Sequence, residues 1–370
     1  MNVGARAAES RGSSAFLIDA YDLGLNEKGI HRVLMSLVPE LVLQDPRCMV
    51  ATTETGARLL RGSNAVVAVV PVMRKSVWEQ WGLPRTAHLQ GAVATYSHRE
   101  AGALWGPPLV LHVPEDPEVR WAREPAGSAT ARARRAYSRG LMGRSLRRAR
   151  VAAASVPSIA TDLAREYDVP KVCTIPLGVD LQVFRPAANP GEGYLFHLGS
   201  PDPRDRTDVV VNAYVRARSQ VALPPLVLGG SLGDVVGMRV ADAIARHDLS
   251  DLVSVTGRLT DVDLAERYRN AMIVVQPAAD EGFGLQPLEA LASGAPLIVA
   301  SARAVQDVVG SSAVVVNEDE ASLASALVQL ASDPTARECL RDAGPVTAAA
   351  YTWRGTAAMV LDSLARAASR

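Results

Sequence analysis

Short apolar runs of strand length alternate along the chain with longer segments whose apolar residues recur every three or four positions. The run Ala15-Phe-Leu-Ile-Asp19 predicts a strand, followed by a loop carrying Gly24 and Gly29. A helix is expected from about Ile30 to Leu43, since Leu34, Leu37, Val38 and Leu41 share one face. Val66–Val70, Ala92–Thr95, Leu109–Val113, Val151–Ser155 and Val172–Ile175 predict further strands. This alternation implies parallel sheets covered on both faces. Segment 185–193 (RPAANPGEG) interrupts it with Pro and Gly and reads as a linker. The pattern restarts at Tyr194-Leu-Phe-His-Leu198, with a helix near Asp208–Ala217. Strands follow at Pro225–Leu228, Leu252–Val255, Met272–Gln276, Pro296–Ala300 and Ala313–Val316.

The expected fold class is therefore α/β, in two halves of similar size. A flexible segment 1–14 precedes a first domain at 15–185. A linker at 186–193 leads to a second domain at 194–350, and a closing helix occupies 351–370. A length of 370 residues suits two domains. The 39 basic and 39 acidic residues cancel, which argues against a chain that coats nucleic acid. The balance hides a split: residues 1–185 carry 24 Lys/Arg and 17 Asp/Glu, and residues 186–370 carry 15 and 22. Cys48, Cys173 and Cys339 lie far apart without a CxxC, as expected in a reducing cytoplasm. The apolar run Ala65–Met73 is far short of a membrane span, and residues 1–14 lack the apolar core of a signal peptide. A cytoplasmic location follows, with peripheral contact at the inner face of a membrane left open.

Candidate chemistry concentrates in segment 280–296 (DEGFGLQPLEALASGAP). A strand feeds a loop with Gly282 and Gly284, Pro287 opens a helix in its first turn, and Gly294 with Pro296 stops it. Backbone N–H groups at a glycine-lined helix start suit a diphosphate. Glu289 is expected in the first helical turn and Glu281 at the loop's entrance. Two carboxylates beside a phosphate site need partners of their own, and paired sugar hydroxyls suit an acceptor-only group. A tight turn with Glu289 complementing the helix dipole is the plainer alternative.

The string Glu281–Glu289 resembles the E-x7-E signature of retaining nucleotide-sugar glycosyltransferases of family 4, which have the GT-B fold. The resemblance runs from about Ala15 to Leu364. Lys28-Gly-Ile-His-Arg-Val33 is similar to the family's glycine loop, placing Gly29 near the donor phosphates. Trp78-Glu-Gln and Leu83-Pro84 resemble a segment of the family's first domain. Leu109-Val-Leu-His112 is similar to a strand ending in a histidine that faces the donor sugar. Ile175-Pro-Leu-Gly-Val-Asp180 with Phe184-Arg-Pro186 resembles the inter-domain junction. Tyr351-Thr-Trp353 resembles the start of helices that cross back to the first domain. The family usually clamps the diphosphate with an Arg after the glycine of the second domain's first strand and a Lys beyond it. Here Ser200 follows Gly199, and Asp205 or Arg206 stands at the lysine position. Arg204 and Arg206 could restore the charge bidentately, or the site could be weakened. Val113, rather than Asp, follows His112, with Glu115 and Asp116 beyond it.

Other features read more plainly. His197 lies within a strand pattern and is expected in the core, while His31 is expected either at a phosphate or in solvent. Asp261-Val-Asp263 invites a metal reading. The segment instead reads as a helix start, with Asp263 as N-cap and Glu266 completing a capping box, so no metal is expected. Arg132–Arg150 holds eight arginines. It is expected to be a solvated helix packed through Tyr137, Leu141, Met142 and Leu146, or else a surface for anionic lipid or a phosphorylated acceptor.

The resemblance implies two Rossmann-like domains facing across a cleft, and metal-independent transfer of a hexose from a nucleotide sugar to an acceptor hydroxyl with retention. The acceptor would be a saccharide, a lipid-linked or other small molecule, and no cofactor or nucleic acid is implied. Catalytic roles fall to His112 and Glu281. Donor binding falls to Gly29, Gly199, Arg204, Arg206, Gly282, Phe283, Gly284, Leu285 and Glu289. A non-catalytic partner of a transferase on the same fold is the alternative, with an epimerase behind it.

Overall fold

The computed structural model describes residues 15–25, 29–115, 127–278 and 281–369. Segment 1–14, Lys28, Asp116 and Asp280 lie outside these. The chain divides into two compact units, one of Met1–Leu177 with Trp353–Arg370 and the other of Gly178–Thr352.

The first unit holds a sheet ordered β3-β2-β1-β4-β5-β6-β7. Its strands are β1 (Ala15–Asp19), β2 (Cys48–Thr52), β3 (Val66–Val69), β4 (Ala92–His98), β5 (Leu109–Val113), β6 (Val151–Ala154) and β7 (Val172–Thr174). Every pairing is parallel. Helices α1 (Gly29–Gln44), α2 (Glu54–Leu59), α3, α4 (Ala129–Arg148) and α5 (Pro157–Tyr167) connect them. Here α3 is a continuous stretch built from Lys75–Val77, a π-helical turn Trp78–Gly82 and Leu83–Leu89. The buried face of α1 is Val33, Leu34, Leu37, Val38 and Leu41, as its periodicity requires. Strand β2 was not evident in the sequence: all five of its residues are buried, but Cys48, Ala51 and Thr52 dilute the apolar run.

The second unit holds a sheet ordered β10-β9-β8-β11-β12-β13, again all parallel. Its strands are β8 (Tyr194–Leu198), β9 (Leu226–Gly229), β10 (Val253–Gly257), β11 (Ala271–Gln276), β12 (Leu297–Ala300) and β13 (Val314–Val316). The helices are α6 (Thr207–Arg218), α7 (Gly233–Arg246), α8 (Asp261–Arg269), α9 (Leu285–Ala292), α10 (Arg303–Val309), α11 (Glu320–Ser332) and α12 (Pro334–Ala348). Each sheet reverses its strand order once, between β1 and β4 in the first unit and between β8 and β11 in the second. Ligands of open α/β sheets bind beyond the strand ends at such points.

Three expectations change. The segment 186–193 packs as part of the second unit, because Arg337 and Arg341 bind Glu192 at 3.0 and 3.3 Å and Arg341 also reaches the Gly191 carbonyl. Helix α8 is capped by Thr260, whose hydroxyl accepts from the Asp263 N–H, so Asp263 lies inside the helix. Tyr137 is 65% exposed, and α4 is packed only through Met142, Gly143, Ser145 and Leu146 in its second half. The last helix, α13 (Trp353–Ala368), belongs to the first unit and packs on α1, β4 and β5. With these bounds the first unit carries 26 Lys/Arg and 17 Asp/Glu, and the second 13 and 22. The charge split is sharper than the midpoint of the sequence suggests.

Candidate functional site

In the second unit, the switch point brings together the loop after β8 and the loop after β11. The first begins at Gly199, whose N–H donates to the Gly229 carbonyl. A Cβ on Gly199 would lie 2.6 Å from Thr207 Oγ1, and one on Gly230, at φ +88°, would lie 2.1 Å from the Gly199 carbonyl oxygen. Gly230 thus lets two backbones meet here, and Gly199 leaves room for the Thr207 and Leu232 side chains. A 3-10 turn follows at Pro203–Asp205, and Arg206, in the left-handed region at φ +58°, starts α6.

The two arginines of this loop already hold carboxylates. Asp202 Oδ2 accepts from Arg204 Nε and Nη2 at 3.1 and 2.9 Å. Arg206 donates to the Glu318 carbonyl at 2.7 Å and lies 3.8 Å from its carboxylate. Burial raises the Asp205 carboxyl above the usual range, against a hydrogen bond from Ser200.

The second loop leads from β11 into α9. Gly284 takes φ +86° at the N-cap, where a Cβ would lie 3.3 Å from Val305 and 3.4 Å from Pro287. The helix starts at Leu285, two residues ahead of Pro287. That places Glu289 in the second turn, 4% exposed, rather than in the first. A buried second-turn carboxylate is badly placed to serve the helix dipole, whose effect fades after the first turn. Leu285 and Gln286 present helix-start N–H groups, while Pro287 contributes none. The helix ends in a Schellman motif: Ala295 N–H donates to Ala290 and Gly294 N–H to Leu291, with Gly294 at φ +72°. Phe283 is buried against Tyr351, ring centroids 5.8 Å apart, which fixes the loop from below. Glu281 and Gly282 are half-buried at the loop's entrance. Thus Gly199, Arg204, Arg206, Glu281, Gly282, Phe283, Gly284, Leu285 and Glu289 all fall on one unit, on the two loops of its switch point or the helices they open.

His112 and Gly29 belong to the first unit. His112 on β5 has no exposed surface. Its Nδ1 meets the Tyr96 hydroxyl at 2.9 Å and its Nε2 the Ser155 hydroxyl at 3.1 Å. Burial, reinforced by His98, pushes its pKa well below the ordinary value, so the ring is neutral. Both ring nitrogens of His112 are thus engaged inside the sheet. Gly29 is exposed at the start of α1, and a Cβ there would meet nothing. His197 is a core residue, as expected, bound to the Val275 carbonyl and Thr207. His31 Nδ1 accepts from the Gly24 N–H at 3.4 Å.

Sequence reasoning missed two switch-point residues. Gln276 ends β11, is 4% exposed, and its Nε2 has no hydrogen-bond partner among the described residues. His98 ends β4, is 4% exposed, and its Nδ1 has no hydrogen-bond partner among the described residues. Its ring packs edge-on against His112 at 4.4 Å, and burial lowers its pKa to about 4. A polar residue closing an apolar strand was the available signal in both.

Beside His98, Arg99 is 4% exposed and bridges Asp19 at 2.5 Å, Asp22 at 2.9 Å and Glu79 at 3.5 Å. Asp19 also accepts from Trp78 Nε1 and Ser97 Oγ. Burial opposes its charge, but Arg99, Trp78 and the Tyr21 N–H outweigh that and hold its pKa below the usual value. Glu79 is less well compensated, and burial pushes it up to about 7.

Residues 192–333 match the family model described as Glycosyl transferases group 1. The chain is 30% identical over 230 residues to a D-inositol 3-phosphate glycosyltransferase of Arthrobacter sp. strain FB24, covering 57% of this chain and 54% of the relative. It is 29% identical over 228 residues to an MMP alpha-(1->4)-mannosyltransferase of Mycolicibacterium hassiacum, covering 60% and 54%. The chain thus spans about half the length of the curated relatives it matches. Among solved structures, sucrose-phosphate synthase from Thermosynechococcus elongatus superposes with a TM-score of 0.76 at 17% identity, covering 95% of this chain and 98% of the other. Anabaena HepE in complex with UDP and glucose gives 0.72 at 16%, covering 95% and 100%. The chain therefore has the GT-B fold of these glycosyltransferase structures, and residues 192–333 of its second unit are similar to group 1 glycosyl transferase domains.

Proposed function

We propose that the protein transfers a hexose from a nucleotide-diphosphate sugar to an acceptor hydroxyl, with retention of configuration and without a metal. The observation that carries this reading is the second unit's switch point, where a glycine-lined loop and a helix start meet two carboxylates eight positions apart. Solved relatives of the same fold carry UDP and UDP-glucose, which supports a nucleotide sugar as the ligand class.

In this reading the diphosphate rests on the backbone at Gly282–Leu285 and on Gly199. Arg204 and Arg206 join by exchanging Asp202 and Glu318 for phosphate oxygens, forming charge-assisted hydrogen bonds. Such preorganised donors stabilise the charge that develops on the leaving diphosphate. Glu289 binds the ribose hydroxyls and Glu281 the donor hexose. His112 acts through its neighbours: it fixes the ends of β4 and β5, where His98 stands beside it. Gly29 lies at the start of α1, where an anion finds helix N–H groups. The first unit, with its excess of arginine, takes the acceptor, a saccharide, lipid-linked or small molecule. The exposed first half of α4, with Arg132, Arg134 and Arg139, suits an anionic or phosphorylated one.

Glu281→Ala and Glu289→Ala test the reading through turnover of nucleotide sugar, and each is expected to lower it at least a hundredfold, about 3 kcal/mol. Unchanged rates in both would sink it. The engagement of Arg204 with Asp202 and of Arg206 with Glu318, with Asp205 beside them, favours one second reading, a non-catalytic partner of a transferase. Calorimetry against UDP, GDP and dTDP separates the two, since binding to none would favour the partner.

A further inference from the structure

Helix α3 buries one side of itself and leaves the other apolar. Trp78 is fully buried, stacked on Tyr21 at 4.8 Å and donating to Asp19. Gly82 makes room for it, since a Cβ there would lie 2.4 Å from the Trp78 ring. With Trp78 turned inward by the π-helical turn, Trp81 stands outward, 67% exposed. Val77 and Leu89 on the same helix are 43% and 69% exposed. Trp105, 42% exposed on the loop before β5, packs edge-on against Trp81 at 5.8 Å, with Leu104 beside it. The loop is held in place: Trp105 Nε1 donates to the Gln80 carbonyl, and the Gln80 side chain bonds Gly102 and Leu104. Ser145 and Arg148 of α4 bind its carbonyls from behind.

The exposed charges on α3 and its lead-in have one sign, while on the segment before β5 Glu100 is half-buried and Arg99 buried. Arg74, Lys75 and Arg85 are exposed, and the sole carboxylate between Val72 and Gly91 is Glu79, which is buried. A second copy of the chain related by a two-fold axis would set these cations against one another. Tryptophan and aliphatic groups edged by cations match the interface of an anionic bilayer.

We propose that Trp81, Trp105, Val77 and Leu89, edged by Arg74, Lys75 and Arg85, seat the first unit on an anionic lipid surface. This goes beyond the transferase reading and does not depend on it, because neither tryptophan belongs to the donor site. Co-sedimentation of the full chain is measured with vesicles of phosphatidylcholine alone and of phosphatidylcholine with phosphatidylglycerol in equal parts. The wild-type protein is expected to bind the mixed vesicles and not the neutral ones. Trp81→Ala is expected to weaken that binding about tenfold, from the loss of buried indole area. Arg74→Glu with Arg85→Glu, at exposed positions that leave the core intact, is expected to abolish it. The indole emission of wild type is expected to shift to the blue on mixed vesicles. Equal or absent binding to both vesicle types, or mixed-vesicle binding unchanged in both variants, would overturn the proposal. So would a dimer in solution that Trp81→Ala dissociates, which would assign the patch to self-contact.

Discussion

Glu79 and Asp19 share one arginine and respond to it differently. Asp19 takes the closest contact and three further donors, whereas Glu79 stands 3.5 Å away in a buried site. Its folded pKa of about 7 lies above the ordinary value of 4.5, so the folded state binds the extra proton and stability falls as pH rises through that window. Glu79→Gln keeps the shape without the charge. Its unfolding free energy is expected to exceed that of the wild type increasingly from pH 4.5 to 7, by up to roughly 3 kcal/mol, with a matching rise in melting temperature. Thermal melts across that range check the sign. Gln276 gives a second residue-scale prediction. Gln276→Leu removes a buried amide nitrogen without a partner and is expected to stabilise the fold by about 1 kcal/mol. If that nitrogen meets the donor, KM for the nucleotide sugar rises about tenfold in the same variant with little change in kcat; an unchanged KM limits Gln276 to the core.

At the scale of elements, the donor loops depend on where the backbone turns. Gly230→Ala would place a methyl group 2.1 Å from the Gly199 carbonyl, whereas Gly284→Ala meets its nearest neighbour at 3.3 Å. Both residues have positive φ, so both substitutions cost something. Gly230→Ala is expected to lose about 3 kcal/mol and Gly284→Ala about 1 kcal/mol, read by denaturant titration. Most strands were legible because parallel strands buried on both faces are short, nearly pure apolar runs. Strand β2 was not, since Cys48, Ala51 and Thr52 break its run, and the cap of α8 was misplaced because three polar residues compete within Thr260–Asp263. The loop of segment 280–296 was readable from glycine and proline spacing, but the start of α9 at Leu285 was not, since Pro287 is the stronger local signal. What the sequence could not show was engagement: Arg204 with Asp202, Arg206 with Glu318, and His112 with Tyr96 and Ser155 are long-range or conformational facts.

On the scale of the molecule, the two units carry opposite charge and separate cores, yet the chain visits the first unit twice. Helix α13 buries Ala357, Val360 and Leu364 there, Gln44 of α1 binds the Arg354 carbonyl, and Thr356 binds the Pro176 carbonyl. Deleting residues 353–370 is expected to lower the melting transition of the first unit and leave that of the second in place. Calorimetry would then show two transitions drawn apart; a joint shift of both would contradict this division.

The return of α13 also sets an order in time. A ribosome delivers residues 1–177 long before Trp353, so the α1, β4 and β5 surface waits uncovered while the whole second unit emerges and closes on itself. The basic, arginine-rich unit is made partly before and partly after the second one. A pause or break between the second unit and Trp353 therefore leaves the apolar seam of α1, β4 and β5 bare and damages the unit whose sheet was made earlier.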